Sequence, residues 1–147
     1  FIHDFKHGIS AFSNHSIPLL SMKELISRPH SQKKRWVVRR AHQQRLKLAE
    51  NGQDCEADHA PVVRLFVPNT NASWLLKDML PDGDMCFGLC DLGLGEPELG
   101  YVSLKELEQL LIFKRWRVER DLHFQTDLPL STWTKVARIA GRIIDPE

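Results

Sequence analysis

The sequence predicts an α+β fold: a small mixed or antiparallel sheet with about three packed helices, preceded by a basic helical appendage. Apolar runs of strand length lie between glycine and proline turns in the second half of the chain. Two further segments there repeat apolar residues at helical spacing. The 147 residues are 42% hydrophobic and 27% charged, which suits one modest domain with an appendage.

Charge divides the chain near residue 60. Residues 1–59 carry ten Lys and Arg against six Asp and Glu, a net charge of +4, whereas residues 60–147 carry ten against thirteen, a net charge of −3. The segment 51–61, which spans this junction, is polar and contains Gly52 and Pro61, as linkers do. We therefore predict a basic, partly helical segment over 1–59 and a separate domain over 60–147.

In the first unit the sequence predicts a short strand over residues 1–8 and one or two helical turns over 21–26. A longer helix follows over 31–50. Ser31 is expected to cap its start, and Asn51-Gly52 is expected to end it in the left-handed conformation.

The segment from Arg28 to Lys47 contains eight Lys and Arg and no acidic residue. Unopposed cations on a helix displace counterions from nucleic-acid phosphates, so this segment predicts non-specific contact with DNA or RNA. The alternative is a solvated helix or a basic tail. The residues assigned to this contact are Lys33, Lys34, Arg35, Arg39, Arg40 and Arg45.

The opening string, residues 3–8, resembles a short motif of primase-like proteins from plasmids and phages. The resemblance implies that residues 1–59 are a remnant of an upstream primase-like module, although the cysteine ligands of such a module are absent. The chain also opens on Phe1 instead of methionine, which predicts a fragment or a processed product.

Each element of the second unit has a local signal. Residues 62–67 form a β-branched run that predicts a strand, and residues 72–76 predict a short helix after a turn. Residues 85–92 are apolar on both faces, so this strand is predicted to be central, and Gly88 to allow close approach of a neighbour. Residues 99–102 predict a third strand.

The C-terminal third predicts two helices around a fourth strand. Ser103 and Glu106 form a capping-box pattern before leucines at helical spacing. The fourth strand is predicted over 117–124. Ser131 is expected to cap the last helix, whose apolar stripe contains Val136, Ala140 and Ile143.

Several of these segments in combination resemble the domain of unknown function 2958 family, DUF2958, over residues 60–143. The segments are 61–68, 72–76, 87–101, 102–107, 119–124, 129–131 and 140–143. The resemblance implies a small protein encoded on bacterial plasmids or conjugative elements, and it carries over no activity. Residues 110–116 replace a connector that usually contains Gly-Pro.

The three cysteines Cys55, Cys86 and Cys90 argue against a disulfide framework and predict a reducing, cytoplasmic location. On a strand Cys86 and Cys90 lie about 13 Å apart, too far for a shared zinc or a disulfide. We predict that they are small core residues, with no metal or cofactor. Gly93 and Gly95 are predicted to form a tight turn instead of a phosphate-binding loop, because a strand and not a helix follows.

An acidic set is the candidate catalytic site. Paired carboxylates with one histidine can hold a divalent cation and activate water. The residues are Asp91, Glu96, Glu98, Asp121 and His123. Glu119, Asp121 and His123 occupy every second position of one predicted strand and therefore share one of its faces. They converge only if that strand neighbours the central one. The alternative is that Glu119 and Asp121 pair with Arg117, Arg120 or Arg142 and that His123 is a structural histidine.

The sequence therefore favours a non-catalytic accessory or interaction module of a bacterial mobile genetic element, near nucleic acid or a protein encoded on the same element. The competing function is a small metal-dependent hydrolase built on the acidic set. A third function, imitation of DNA by an acidic face, is weakened because a net charge of −3 is small. The sequence contains no stretch of about 18 apolar residues, the length that would predict a membrane span.

Overall fold

A five-stranded antiparallel sheet forms the centre of the structure, a computed structural model that describes residues 42–146. In chain order the elements are α1 (His42–Gly52), β1 (Val63–Phe66), β2 (Ala72–Met79), β3 (Met85–Leu92), β4 (Glu98–Ser103), α2 (Leu104–Gln109), β5 (Leu111–Ile112), β6 (Trp116–Arg117), β7 (Glu119–Arg120) and α3 (Leu130–Ala140). The sheet order is β4-β3-β2-β1-β7, and β5 with β6 makes a separate hairpin. The predicted α+β class is confirmed.

Helices cover both faces of the sheet. On one face Trp74 and Leu76 pack with Leu48 of α1 and with the leucines of α2. On the other face Leu75 and Leu89 pack with residues of α3. Successive residues of a strand point to opposite faces, so a central strand covered on both sides is largely apolar. The prediction that residues 85–92 form a central strand is confirmed, since β3 lies between β2 and β4.

The short helix predicted over residues 72–76 is wrong, because these residues belong to β2. All eight residues of β2 are buried, and Trp74 lies opposite Leu65 of β1 and Cys90 of β3. A short apolar run fits a strand and a helix equally well. Here pairing partners on both sides decide in favour of the strand.

Two glycines allow backbones to touch. A Cβ at Gly88 would lie 1.9 Å from the carbonyl oxygen of Leu75, which confirms the predicted close approach. A Cβ at Gly52 would lie 2.0 Å from the carbonyl oxygen of Met79. Gly52 lies within α1 and is not among the glycines with positive φ, so the predicted left-handed end is wrong. This glycine instead lets the end of α1 pack onto β2.

Helix α1 is built into the folded unit. Leu48 is 2% exposed, and Nδ2 of the buried Asn51 donates a hydrogen bond of 2.9 Å to the carbonyl of Lys77. The folded unit therefore includes the residues from His42 onwards, which begin N-terminal to the boundary predicted near residue 60. The strand predicted over 1–8, the turns over 21–26, and residues 31–41 of the long helix lie outside the described residues.

Helix α2 begins as the capping pattern predicts. Ser103 is the N-cap, and its Oγ accepts a hydrogen bond of 3.2 Å from the backbone N–H of Glu106. The same hydroxyl donates to Oδ2 of Asp84 at 2.6 Å, and Oδ1 of Asp84 accepts from the N–H of Lys105. The cap thus also fixes the turn before β3 against the start of α2.

The strand predicted over residues 117–124 is wrong in its extent. The chain forms only the two-residue strands β6 and β7 there. After Arg120 the chain turns, and Oδ1 of Asp121 accepts a hydrogen bond of 2.9 Å from the N–H of His123. An Asp side chain that bonds the backbone two residues later favours a turn over a strand.

The N-terminal cap of α3 comes from a distant residue. The N-cap position is Pro129, which has no side chain for capping, so the prediction of Ser131 as cap is wrong. Instead Oδ1 of Asp58 accepts a hydrogen bond of 3.1 Å from the N–H of Ser131, and Oδ2 accepts one from its hydroxyl. The loop before β1 is thereby fixed to the start of α3.

Replacing Asp58 with alanine is expected to lower the free energy of unfolding by about 1 kcal/mol, the usual effect of losing an N-terminal cap. Asp58→Asn is the matched control, because asparagine caps helices about as well as aspartate. Urea denaturation measures both variants. Equal stability of the alanine and asparagine variants would contradict the capping role.

Candidate functional site

Asp91, the first of the predicted catalytic carboxylates, lies at the end of β3 and is 1% exposed. Its Oδ1 accepts a hydrogen bond of 2.8 Å from the N–H of Gly93, and its Oδ2 accepts one of 2.9 Å from the N–H of Ile143. Both oxygens therefore hold backbone amides. The residue ties the turn after β3 to the segment after α3.

Glu96 and Glu98 lie beside that turn, and both side chains are exposed. Gly93 and Gly95 have φ values of 77° and 86° and precede the strand β4, so the predicted tight turn is confirmed. These positive angles are the conformations that glycine adopts without steric cost.

Asp121 and His123 lie at the other side of the sheet. The N–H of Asp121 donates to the carbonyl of Arg64 in β1, just after the edge strand β7. Strands β2 and β1 separate β3 from β7, so the backbones of Asp91 and Asp121 are roughly 14 Å or more apart at about 4.8 Å per strand. The structure does not bring the acidic set together.

Within residues 42–146 no group of three or more His, Cys, Asp or Glu side chains is placed to hold a metal ion. The neighbour relation that the hydrolase hypothesis required is therefore missing from the described sheet. Among its carboxylates Asp91 bonds two backbone amides and Asp121 bonds one, as structural residues do.

Cys86 and Cys90 lie on β3 and contribute to the core on the α1 side. Burial raises the pKa of each thiol to about 12, with the nearby carboxylates of Asp78 and Glu98 adding to the rise at Cys86 and Cys90 respectively. The thiolate is the form that attacks substrates and binds metals. At neutral pH both side chains thus remain protonated core residues.

Five of the six predicted nucleic-acid contacts lie outside the described residues: Lys33, Lys34, Arg35, Arg39 and Arg40. Arg45 is described, and its Nη2 donates a hydrogen bond of 2.9 Å to the carbonyl of Gly83. Arg45 therefore helps to fix α1 to the turn before β3. Lys47, also in the basic run, lies 3.3 Å from Glu50 on the exposed side of α1.

A small cleft lies between α1 and the sheet, with room of about 20 Å³. Its lining includes Leu48, Leu65 and Leu76. Gln44 and Arg120 also line it, and Nη1 of Arg120 donates a hydrogen bond of 2.7 Å to Oε1 of Gln44. This volume holds about one water molecule. The cleft is too small for an organic substrate.

A buried ion pair in β2 was not predicted from the sequence. Lys77 is 5% exposed and Asp78 is fully buried, and Nζ of Lys77 lies 3.1 Å from Oδ2 of Asp78. Nζ also donates hydrogen bonds to the carbonyls of Cys55 at 2.8 Å and Ala57 at 2.9 Å. The ammonium group therefore has two carbonyl acceptors and one carboxylate beside it, so Lys77 does not offer a free nucleophile.

A β-bulge places this pair. Leu76 lies opposite Gly88 and Asp78 lies opposite Phe87, so Lys77 is the extra residue of β2. After the bulge Met79 returns to the core of the α1 side with Trp74 and Leu76. A bulge adds one residue to a strand and shifts the side-chain alternation after it.

The surroundings of Asp78 disfavour its ionised form. Burial raises the pKa of Asp78, whereas the Lys77 ammonium and the Phe87 backbone amide oppose the rise. Among the described residues neither carboxylate oxygen makes a hydrogen bond of good geometry. Nζ of Lys77 also lies 5.3 Å from the ring centroid of Phe87. The signal in the sequence was a Lys-Asp pair inside the apolar run 74–80.

No helix within residues 42–146 is both long and apolar enough to cross a bilayer.

Comparison with known proteins identifies a family. Neither the curated proteins nor the solved structures include one that matches this chain. A family model described as a protein of unknown function, DUF2958, matches residues 38–144. The match includes α1 and ends just after α3, so it agrees with the packing of α1 on β2. The chain belongs to the DUF2958 family.

Proposed function

We propose that this chain is a non-catalytic accessory module of a bacterial mobile genetic element that contacts nucleic acid non-specifically through residues 28–47. The mobile-element setting is inferred from the resemblance of the family to plasmid and conjugative-element proteins. The observation that carries the proposed contact is the run of eight Lys and Arg without an acidic residue in that segment. Such a run attracts phosphate backbones of any sequence.

The separation of the carboxylates supports a binding role over the hydrolase alternative. Asp91 and Asp121 bond backbone amides at different parts of the sheet, and the cleft beside α1 has room of only about 20 Å³. A hydrolase of the expected kind needs carboxylates around one open volume. The protein partner encoded on the same element stays part of the proposal.

Removing four cations of the basic run is expected to weaken binding to oligonucleotides and to lessen its salt dependence. The variant is Lys33→Gln/Lys34→Gln/Arg39→Gln/Arg40→Gln. For single strands the slope of log K against log salt is about −0.7 per phosphate neutralised, so the slope should fall in magnitude by up to about 3. Fluorescence anisotropy with a 20-nucleotide strand between 50 and 200 mM salt measures both quantities.

The matched control removes four exposed cations from the second half of the chain: Lys105→Gln/Lys135→Gln/Arg138→Gln/Arg142→Gln. It has the same total charge as the test variant. Equal loss of binding in both variants would show that total charge and not residues 28–47 is responsible. No binding by the parent at 50 mM salt would overturn the proposed function.

A further inference from the structure

The hairpin of β5 and β6 has a tight turn in an unfavourable conformation. The N–H of Arg115 donates to the carbonyl of Ile112 at 3.0 Å, which closes a turn over residues 112–115. The two central residues, Phe113 and Lys114, have φ values of 51° and 56°. Such angles are uncommon outside glycine, asparagine and aspartate, and a bulky residue there is an outlier. Strain of this kind concentrates at functional sites.

The base of the hairpin is anchored and its tip is displayed. Leu111 and Ile112 are each 3% exposed, and Val118 is fully buried, so both arms are held in the core. Phe113 at the tip is 65% exposed. The fold thus presents a phenyl ring to solvent on a fixed support.

The tip is also cationic. Residues 110–118 contain Lys114, Arg115 and Arg117 and no acidic residue, and the first two are exposed. Cζ of Arg115 lies 4.8 Å from the ring centroid of Trp116, a cation–π contact. Aromatic and guanidinium planes next to positive charge are the features that bind unpaired bases and their phosphates.

We propose that residues 113–117, the basic hairpin, bind single-stranded nucleic acid, with Phe113 stacking on a base and Lys114 and Arg115 contacting phosphates. The inference deepens the proposed function and rests on it in naming nucleic acid as ligand, since residues 28–47 supply only charge. A base paired in a duplex has its faces covered by its neighbours. The exposed ring of Phe113 therefore selects unpaired strands, whereas the charges of residues 28–47 do not distinguish single strands from duplexes.

The decisive variant is Phe113→Asn. Asparagine tolerates positive φ, so the variant removes the ring and relieves strain, and its thermal midpoint should be equal to or above that of the parent. Affinity for a 20-nucleotide thymidine strand is expected to fall about 5- to 150-fold, the range for loss of one stacked base. Affinity for a 20-base-pair duplex should be unchanged.

Ile139→Asn is the matched control, because Ile139 is 89% exposed and lies on α3. For the charges, Lys114→Gln/Arg115→Gln is compared with Lys135→Gln/Arg138→Gln, both pairs being exposed. Only the hairpin pair should weaken single-strand binding and reduce its salt slope by about 1.4.

Each outcome separates the two proposals. If Phe113→Asn binds the strand as tightly as the parent while the four-cation variant of residues 33–40 loses binding, the hairpin proposal is overturned and the proposed function stands. If hairpin variants lose binding and the four-cation variant does not, the hairpin site is supported and the role of residues 28–47 fails. Binding to phosphatidylserine vesicles that Phe113→Asn abolishes, without effect on the strand, would replace nucleic acid by a lipid surface.

Discussion

Replacing Lys77 with methionine is expected to lower the free energy of unfolding by roughly 3–5 kcal/mol at pH 7, the usual cost of removing one partner of a buried ion pair. Methionine approximates the length of the side chain, so packing is largely kept. What is lost is the cation beside Asp78, which is fully buried. The carbonyls of Cys55 and Ala57 lose their donor as well.

This loss of stability should depend on pH. Burial raises the pKa of Asp78 above its usual value of 3.8 and Lys77 opposes the rise, so removing Lys77 raises the pKa further. An acid whose folded pKa exceeds its unfolded pKa binds more protons in the folded state, so stability falls as pH rises between the two values. The Lys77→Met variant is therefore expected to be less destabilised at pH 5 than at pH 7.

Urea denaturation at pH 5, 6 and 7 measures this effect. The control is Lys77→Met/Asp78→Asn, which has no ionisable group at the site and should recover part of the stability with a smaller pH dependence. The proposal that Lys77→Met leaves an uncompensated charge on Asp78 would be contradicted in two cases. One is a variant whose stability is within 1 kcal/mol of the parent at pH 7, and the other is a variant equally destabilised at pH 5 and pH 7.

Replacing Asp91 with alanine is expected to lower the free energy of unfolding by about 3 kcal/mol. The N–H groups of Gly93 and Ile143 would both lose their acceptor, and an unsatisfied buried donor costs about 1–3 kcal/mol. Asp91→Asn keeps one acceptor oxygen and should show an intermediate loss.

Glu98→Ala is the control for this variant, because Glu98 is exposed at the start of β4 and its replacement should change stability by no more than about 0.5 kcal/mol. Hydrogen exchange of the Ile143 amide gives a local readout, and Asp91→Ala should accelerate it. A variant as stable as Glu98→Ala, with unchanged exchange at Ile143, would show that Asp91 does not join the two segments.

The elements that were predictable are those whose signals are local. The apolar run 85–90 and the serine before α2 are sufficient to predict a central strand and a helix start. The strand β2 was not predictable in the same way, because its state is decided by pairing with β1 and β3. The capping of α3 by Asp58 joins residues 73 positions apart, which no local pattern reveals.

The candidate site shows the same limit. That Asp91 ends a strand was predictable, but its bond to Ile143 was not, because the two residues are 52 positions apart. The alternation of Glu119, Asp121 and His123 predicted that they share one strand face. In the structure the side chain of Asp121 accepts a hydrogen bond from the backbone N–H of His123, which forms a turn instead of a strand. The strain at Phe113 depends on the backbone and leaves no mark in composition.

The bulge at Lys77 also explains how the sheet avoids a wrong alignment. Sliding β2 by one residue against β3 would turn its side chains over and carry the ammonium and carboxylate away from the carbonyls of Cys55 and Ala57. Without this pair, β2 would present apolar side chains to both faces in either alignment. In this chain the charged pair favours the alignment of β2 in which Lys77 reaches those two carbonyls.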